Sequence, residues 1–247
     1  MDNREQITSR REYMLIGDDM PFAITEAYKA LRTNLMFVLG AKNSKVTMFT
    51  SAYMMEGKTT TSANIAITFA QTGAKVLLID ADMRKPKQHR LFECELGTGL
   101  SEVLCGVVSD SSIQKTKYDN LYLMTAGRIP PNPADLLVSP NMDKMLETVV
   151  KTFDYVFIDA PPVGIVTDAA VLASKVGGAI MVVRTGQSRT DGVRKAQDAL
   201  YHAGTDIIGY VMTDAQPKNG SYKKYNGKYK YYKYSSYSKR STDEEGK

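Results

Sequence analysis

Residues 52–60 combine side chains and backbone suited to binding phosphate. The stretch AYMMEGKTT contains Gly57, Lys58 and Thr59, the core of a phosphate-binding loop. In such loops backbone N–H groups and a helix N-terminus surround the phosphates, the lysine reaches the β- and γ-phosphate oxygens, and the hydroxyl completes a Mg²⁺ shell. Ala52 stands where the full pattern G-x-x-x-x-G-K-[ST] has its first glycine, so the motif alone is weak evidence. The predicted nucleotide-binding residues are Glu56, Gly57, Lys58, Thr59 and Thr60.

Three aspartates that follow apolar runs strengthen this interpretation. LLIDADMRKP places Asp80 and Asp82 after one run, and FIDAPP places Asp159 after another. Because ligands of parallel sheets bind outside the carboxyl ends of the strands, we expect these carboxylates beside the phosphate loop. Mg²⁺ takes oxygen ligands, usually one or two carboxylates with phosphate and water. Helix or turn capping would explain one such aspartate, whereas three together predict a nucleotide and Mg²⁺ site.

Alternating segments supply the scaffold for these groups. Apolar, β-branched runs predict strands at 45–50, 75–80, 121–125, 155–160, 179–183 and 207–212. Most of the intervening stretches have helical character, at 57–72, 99–106, 140–152, 166–175 and 189–203. This alternation predicts an α/β fold with a mostly parallel sheet covered by helices on both faces.

A further helix is expected before the first strand, from Pro21 to about Leu39, with Gly40 at its end. Its apolar residues recur at helical spacing, namely Ile24, Ala27, Leu31, Leu35 and Val38. No apolar run approaches the roughly eighteen residues of a membrane span, and the charged N-terminus lacks the apolar core of a secretory signal. We therefore expect a polar segment at 1–20, one α/β domain at 21–216 and a disordered tail at 217–247.

The tail holds all of the net positive charge. It contains nine Lys/Arg and three Asp/Glu, a net charge of +6, whereas the other 216 residues contain 23 and 24 and carry a net −1. A body near neutrality argues against a nucleic-acid-binding fold. Seven of the fifteen tyrosines lie in the tail, at Tyr222, Tyr225, Tyr229, Tyr231, Tyr232, Tyr234 and Tyr237. Taken alone, such a segment would be explained by stacking on RNA or by contact with anionic lipid.

Three motifs, EGKTTTSANIA, LLIDADMRKP and FIDAPP, resemble the Walker A, Walker A′ and Walker B motifs of bacterial tyrosine kinases. These enzymes belong to capsule and exopolysaccharide operons, of the CpsD-like type, and have a P-loop fold related to Min/Par-type ATPases. The segment EAYKALRTN is similar to the E-x-x-R-x-x-R helix through which the family assembles into rings. A C-terminal tyrosine cluster is the family's autophosphorylation site. The resemblance extends from about residue 20 to the tail.

The resemblance implies an ATP-dependent kinase that transfers phosphate to protein tyrosines, including its own tail tyrosines in trans within a ring. Lys58 and Thr59 would bind β/γ-phosphate and Mg²⁺, and Asp80 and Asp159 would hold Mg²⁺ directly or through water. Asp82 would accept the proton of the attacking tyrosine hydroxyl. The implied catalytic set is Lys58, Asp80 and Asp82. The implied oligomer contacts are Glu26, Lys29 and Arg32.

Partners are implied by the same resemblance. A separate transmembrane adaptor would activate the kinase and keep this cytoplasmic chain at the inner face of the cell membrane. A phosphotyrosine phosphatase would oppose it, other proteins would be substrates, and capsule or exopolysaccharide synthesis and export would be regulated. No nucleic-acid partner is expected.

Two positions depart from the family pattern. Met54 and Met55 stand where Pro-Gly usually precedes EGK, and methionine adopts a positive φ only at a cost. Either the loop is non-standard or nucleotide binding is weakened. Lys29 replaces the first arginine of the helix motif and lacks its bidentate fork. Two alternatives stay open: a Min/Par-type switch ATPase without kinase activity, and a scaffold that has lost catalysis.

Overall fold

One β-sheet forms the centre of the fold. The computed structural model describes residues 15–17, 20–42, 44–107 and 112–215, and within these ranges seven strands pair in the order β3-β4-β2-β5-β1-β6-β7. They are β1 (Val46–Ser51), β2 (Val76–Asp80), β3 (Ile113–Lys115), β4 (Leu121–Met124), β5 (Tyr155–Asp159), β6 (Ala179–Arg184) and β7 (Ile207–Thr213). Only β3 and β4 pair antiparallel among these strands. The predicted mostly parallel sheet is therefore confirmed.

Helices in the described part of the chain cover both faces of this sheet. They are α1 (Phe22–Lys42), α2 (Lys58–Ala70), α3 (Gln88–Leu91), α4 (Leu100–Leu104), α5 (Pro133–Val138), α6 (Pro140–Thr152), α7 (Asp168–Ala173) and α8 (Thr190–His202). Successive side chains of a strand point to opposite faces. Thus Val76 and Leu78 of β2 pack in one apolar cluster with α1, α2 and α3, and Leu77 and Ile79 pack in another with α4 to α8.

Strand register brings the predicted site residues to one rim of the sheet. Asp80 at the end of β2 pairs with Asp159 at the end of β5, and Phe49 of β1 pairs with Asp159 on the other side. β1 then leads through a short loop into α2, in which every residue except Thr60 is buried. The loop is consequently anchored at both ends in the core.

Two short elements were absent from the sequence expectation. The edge strand β3 has three residues and α3 has four, and segments of this length carry too little periodicity to be recognised.

Helix α1 also differs from the expectation. It continues past Gly40 to Lys42, because Gly40 does not take the positive φ with which a glycine commonly ends a helix. Ile24, counted in the predicted apolar stripe, is 42% exposed, whereas Leu35 is buried as expected. Among the described residues, no helix combines the length and the apolar character needed to cross a membrane.

Candidate active site

The loop between β1 and α2 has the backbone shape of a phosphate-binding turn. Gly57 takes φ 91° directly before α2, and a Cβ at this position would lie 3.1 Å from Cγ2 of Thr213. Met55 takes φ 63°, a left-handed conformation that costs a non-glycine residue about 1–2 kcal/mol. Met55 thus keeps the backbone that a glycine would adopt at this position, and the protein must supply the energy that holds it there.

Lys58, the first residue of α2, directs its ammonium group at two carboxylates. Its Nζ donates to Asp82 Oδ2 at 3.0 Å and to Asp159 Oδ1 at 3.2 Å. All three side chains are nearly or fully buried. Burial opposes the positive charge, but the carboxylates of Asp159 and Asp82 outweigh it and raise the pKa of Lys58. The lysine is therefore a fixed cation at the N-terminus of α2.

Asp80 is buried at the end of β2 and orders the loop that follows. Its Oδ1 accepts a hydrogen bond from the N–H of Asp82 at 3.2 Å, and its Oδ2 accepts from the N–H groups of Lys87 and Gln88, both at 3.0 Å. Burial and the nearby charge of Asp159 raise the pKa of the Asp80 carboxyl. The pKa of Asp159 is also raised, mainly by burial. Burial is therefore the main cause of both raised pKa values, and neighbouring carboxylates add to it.

This donor set fits Mg²⁺ bound together with phosphate. Three carboxyl groups lie around one ammonium group, and a divalent cation beside them would favour their charged forms. In residues 15–17, 20–42, 44–107 and 112–215, no group of three or more His, Cys, Asp or Glu side chains is arranged to hold a metal ion alone. That finding is consistent with the coordination that Mg²⁺ prefers in proteins, namely several water molecules, one or two carboxylates and substrate phosphate.

Gln88 is a site residue that the sequence did not indicate. Its Nε2 donates to Asp159 Oδ2 at 2.9 Å, to Ser62 Oγ at 3.0 Å and to the carbonyl of Thr59 at 3.1 Å. Its Oε1 is buried and, in the described structure, accepts no hydrogen bond. A neutral glutamine eight positions after Asp80 matches no motif, so no sequence signal was available for it.

The other predicted nucleotide-binding residues lie in or next to the same loop. Thr59 Oγ1 is 3.3 Å from Lys58 Nζ, and Thr60 is half-buried in the first turn of α2. Glu56 is fully buried, and its carboxylate accepts hydrogen bonds from the N–H of Tyr53 and the hydroxyl of Ser188. The Glu56 side chain therefore supports the loop from within the protein.

An ion pair secures the loop that carries Asp82. Arg84 donates from Nε and Nη2 to the two carboxylate oxygens of Asp168, at 2.8 and 2.9 Å. Asp168, the first residue of α7, is fully buried, whereas the Arg84 side chain is 42% exposed. This bidentate pair joins the β2 rim to the segment that follows β5.

The remaining predicted residues lie elsewhere. Lys29 pairs with Glu26 at 2.8 Å within α1, and Arg32 Nη1 donates to the carbonyl of Thr68 in α2 at 3.0 Å. These three side chains do not contribute to the phosphate site. The seven predicted acceptor tyrosines, from Tyr222 to Tyr237, lie outside the described residues.

Known proteins are similar to this chain in both sequence and fold. The AAA domain family AAA_31 matches residues 56–202. The chain is 36% identical over 231 residues to the tyrosine-protein kinase YwqD of Bacillus subtilis, an alignment that covers 93% of this chain and 95% of YwqD. It is 42% identical over 189 residues to the tyrosine-protein kinase CpsD of Streptococcus pneumoniae serotype 4, covering 76% of this chain and 82% of CpsD.

Solved structures agree with these relatives. The kinase domain of the Escherichia coli tyrosine kinase ETK superimposes with a TM-score of 0.73 at 33% identity, covering 87% of this chain and 88% of that domain's chain. The cell division ATPase MinD of Pyrococcus furiosus superimposes with a TM-score of 0.59 at 24% identity, covering 68% and 71%, and shows a common fold. The Walker-type motifs of this chain meet at one rim of the sheet, and its sequence is 36–42% identical to those of tyrosine-protein kinases over most of its length. The chain therefore belongs to the bacterial tyrosine kinase family of the CpsD type.

Proposed function

We propose that the chain transfers the γ-phosphoryl group of ATP to tyrosines, foremost those of its own C-terminal cluster. The observation that carries the proposal is the Lys58 ammonium group, held at 3.0 Å from Asp82 and 3.2 Å from Asp159 at the N-terminus of α2. A cation and a helix N-terminus attract phosphate, and the carboxylates beside them are suited to a metal ion and a proton.

Phosphate binding would fall to the loop between β1 and α2. The N–H groups of residues 56–60 and the ammonium group of Lys58 would contact the β- and γ-phosphates. The Thr59 hydroxyl, Asp80 and Asp159 would hold Mg²⁺, with Asp80 acting through water because three backbone N–H groups already occupy its oxygens. When bound there, Mg²⁺ would neutralise negative charge that develops on the phosphate oxygens.

Proton transfer would fall to Asp82. A tyrosine hydroxyl has a pKa near 10 and needs a base to attack at neutral pH. The Asp82 carboxylate is oriented by Lys58 and by the N–H of Lys85, which donates to Oδ1 at 3.1 Å. As the tyrosine oxygen bonds to the γ-phosphorus, the bond to the bridging oxygen breaks, ADP leaves with the electron pair, and Asp82 takes the phenolic proton.

The acceptors in this proposal are the seven tail tyrosines, the first of which lies eight residues after Asp214 in the sequence. Phosphorylation would proceed in trans within a ring formed through α1. Exposed apolar residues on that helix support an assembly surface, since Phe22 and Phe37 are 67% and 76% exposed. Glu26, Lys29 and Arg32 would contribute polar contacts there after rearranging the intramolecular bonds they now make.

Regulation follows from the same proposal. A transmembrane adaptor would activate the chain at the inner face of the membrane, and a phosphotyrosine phosphatase would reset it. Its phosphorylation state and its action on other protein substrates would regulate capsule or exopolysaccharide synthesis and export. The support for these partners is membership of the family.

Intact-mass and phosphopeptide analysis after incubation with MgATP tests the activity. Wild type, Lys58→Met, Asp82→Asn and a truncation after Gln216 would be compared, with and without the cytosolic end of the adaptor. Phosphate on residues 222–237 in the wild type, absent in Lys58→Met, is the expected result. Asp82→Asn should keep ATP binding and lose about a hundredfold or more in transfer rate.

Other outcomes select the alternatives. ATP binding or hydrolysis without phosphotyrosine, even with the adaptor, would favour a switch ATPase of the Min/Par type. Absence of any nucleotide binding would favour a scaffold that has lost catalysis because Met54 and Met55 prevent the loop from binding phosphate.

A further inference from the structure

The phosphate loop has an outer wall made of side chains that no sequence motif singles out. Three consecutive carbonyl groups of the loop each accept a hydrogen bond from residues at the ends of β6 and β7. The bonds are Gln187 Nε2 to Met54 O at 3.1 Å, Arg184 Nη1 to Met55 O at 3.0 Å, and Thr213 Oγ1 to Glu56 O at 2.8 Å. We call Arg184, Gln187 and Thr213 the outer clamp.

The clamp determines which way the loop's peptide groups face. In a planar trans peptide the C=O and the following N–H point in opposite directions. Carbonyls engaged by the clamp at positions 54, 55 and 56 therefore direct the N–H groups of residues 55, 56 and 57 away from it. Successive N–H groups that share one side form a concave anion site.

Further contacts hold the clamp itself in place. Arg184 donates from Nη2 and Nε to Asp214 Oδ2, at 3.3 and 3.4 Å. The N–H of Arg184 also donates to Ser188 Oγ at 2.6 Å, and that hydroxyl donates to the Glu56 carboxylate. The methyl group of Thr213 lies against Gly57. The loop and the clamp are thus joined through backbone and side chains alike.

We propose that Arg184, Gln187 and Thr213 are positioning residues for nucleotide phosphate, and that they compensate for the methionine at position 55. Met55 is held at φ 63° by the bond that Arg184 makes to its carbonyl. A glycine would adopt this backbone without strain and would depend less on being held. The inference rests on the proposed function of the loop as the ATP site.

The test is a double-mutant cycle on MgADP affinity, measured by isothermal titration calorimetry. Arg184→Ala should weaken binding about tenfold, the usual effect of losing a hydrogen bond from a charged donor. In the Met55→Gly background the same substitution should weaken it only about twofold to threefold, because the strain is gone. Arg184→Lys, which keeps one donor, should fall between wild type and Arg184→Ala.

Amide hydrogen exchange in MgADP-saturated protein gives an independent readout. The N–H groups of residues 55–57, which would donate to phosphate, should exchange faster in Arg184→Ala and Thr213→Val than in wild type, and Met55→Gly should reduce the difference caused by Arg184→Ala. Arg194→Ala is the matched control, since it removes an exposed arginine from α8 and should change neither affinity nor exchange.

The outcomes separate this inference from the function beneath it. The clamp proposal would be wrong if wild type binds MgADP and phosphorylates tyrosine but Arg184→Ala weakens MgADP binding equally in both backgrounds. The proposed kinase activity would be unaffected by that result. A lower melting temperature in Arg184→Ala without rescue by Met55→Gly would reduce Arg184 to a structural role. Wild type that binds no MgADP would instead overturn the proposed function.

Discussion

At Lys58 one ammonium group lies among three carboxyl groups, those of Asp80, Asp82 and Asp159. It bonds both Asp82 and Asp159, so the residue predicted to bind phosphate also stabilises the groups predicted to bind metal and proton. Arriving phosphates would compete for the same ammonium hydrogens. Nucleotide binding would then release Asp82 from its ion pair at the time when a base is needed, which couples ATP occupancy to the readiness of the base.

Replacement of Lys58 by methionine should destabilise the nucleotide-free protein in a pH-dependent way. The carboxyl pKa values in the folded state, already raised at Asp80 and Asp159, would rise further above those of the unfolded chain. The unfolded chain then binds fewer protons than the folded one, so stability falls as pH increases through this range. Urea unfolding should give a free energy of unfolding lower than that of wild type by about 3 kcal/mol at pH 8 and by clearly less at pH 5.5. The exposed Lys195→Met in α8 is the control, and a loss equal at both pH values would contradict the charge argument.

At the scale of elements, the sequence predicted what is local and missed what depends on tertiary contacts. Buried strands were recognisable because their apolar runs are continuous, and Asp80 and Asp159 because they end such runs. Gln88, Arg184 and Thr213 join the site through hydrogen bonds between segments far apart in the chain, which no spacing reveals. The apolar spacing of α1 predicted the helix, but such spacing does not distinguish a face buried in the fold, as at Leu35, from one left exposed, as at Ile24.

The bond between Arg84 and Asp168 is expected to fix the β2 loop onto α7. Arg84→Ala leaves the fully buried Asp168 carboxylate without its ion-pair partner and should lower the free energy of unfolding by about 2 kcal/mol. The effect should be smaller than for a fully buried pair, because the arginine is partly exposed. Urea unfolding measures this, and adding Asp168→Asn should recover part of the loss. Arg189→Ala breaks an exposed pair with Asp191 and should leave the free energy of unfolding nearly unchanged, because water screens such a pair. Equal costs for the two arginines would show that the pair with Asp168 has no special role.

At the scale of the whole molecule, α1 presents large apolar side chains that the rest of the described structure leaves exposed. Phe37 is 76% exposed near the end of the helix, an unusual position for a large apolar side chain unless another chain covers it. Phe37→Glu should reduce the oligomer mass measured by light scattering and leave MgADP affinity unchanged. Val107→Glu, at a site 73% exposed, is the matched control and should leave the mass unchanged. If Phe37→Glu assembles like wild type, the ring contact lies elsewhere.

If the chain assembles as proposed, the charge of the tail would give that assembly a means of reversal. It carries a net +6 on a chain whose remaining residues carry −1, so it should be attracted to the carboxylate rim of a neighbouring site. Each phosphate adds about −1.5 to −2 charges, so four would cancel or reverse the tail's positive charge. Incubation with MgATP should therefore reduce the oligomer mass, and phosphatase treatment should restore it. A variant with phenylalanine at all seven tail tyrosines should keep its mass throughout. If phosphorylated wild type also keeps its mass, the charge of the tail does not control assembly, and the tyrosines would act through a partner that recognises phosphate.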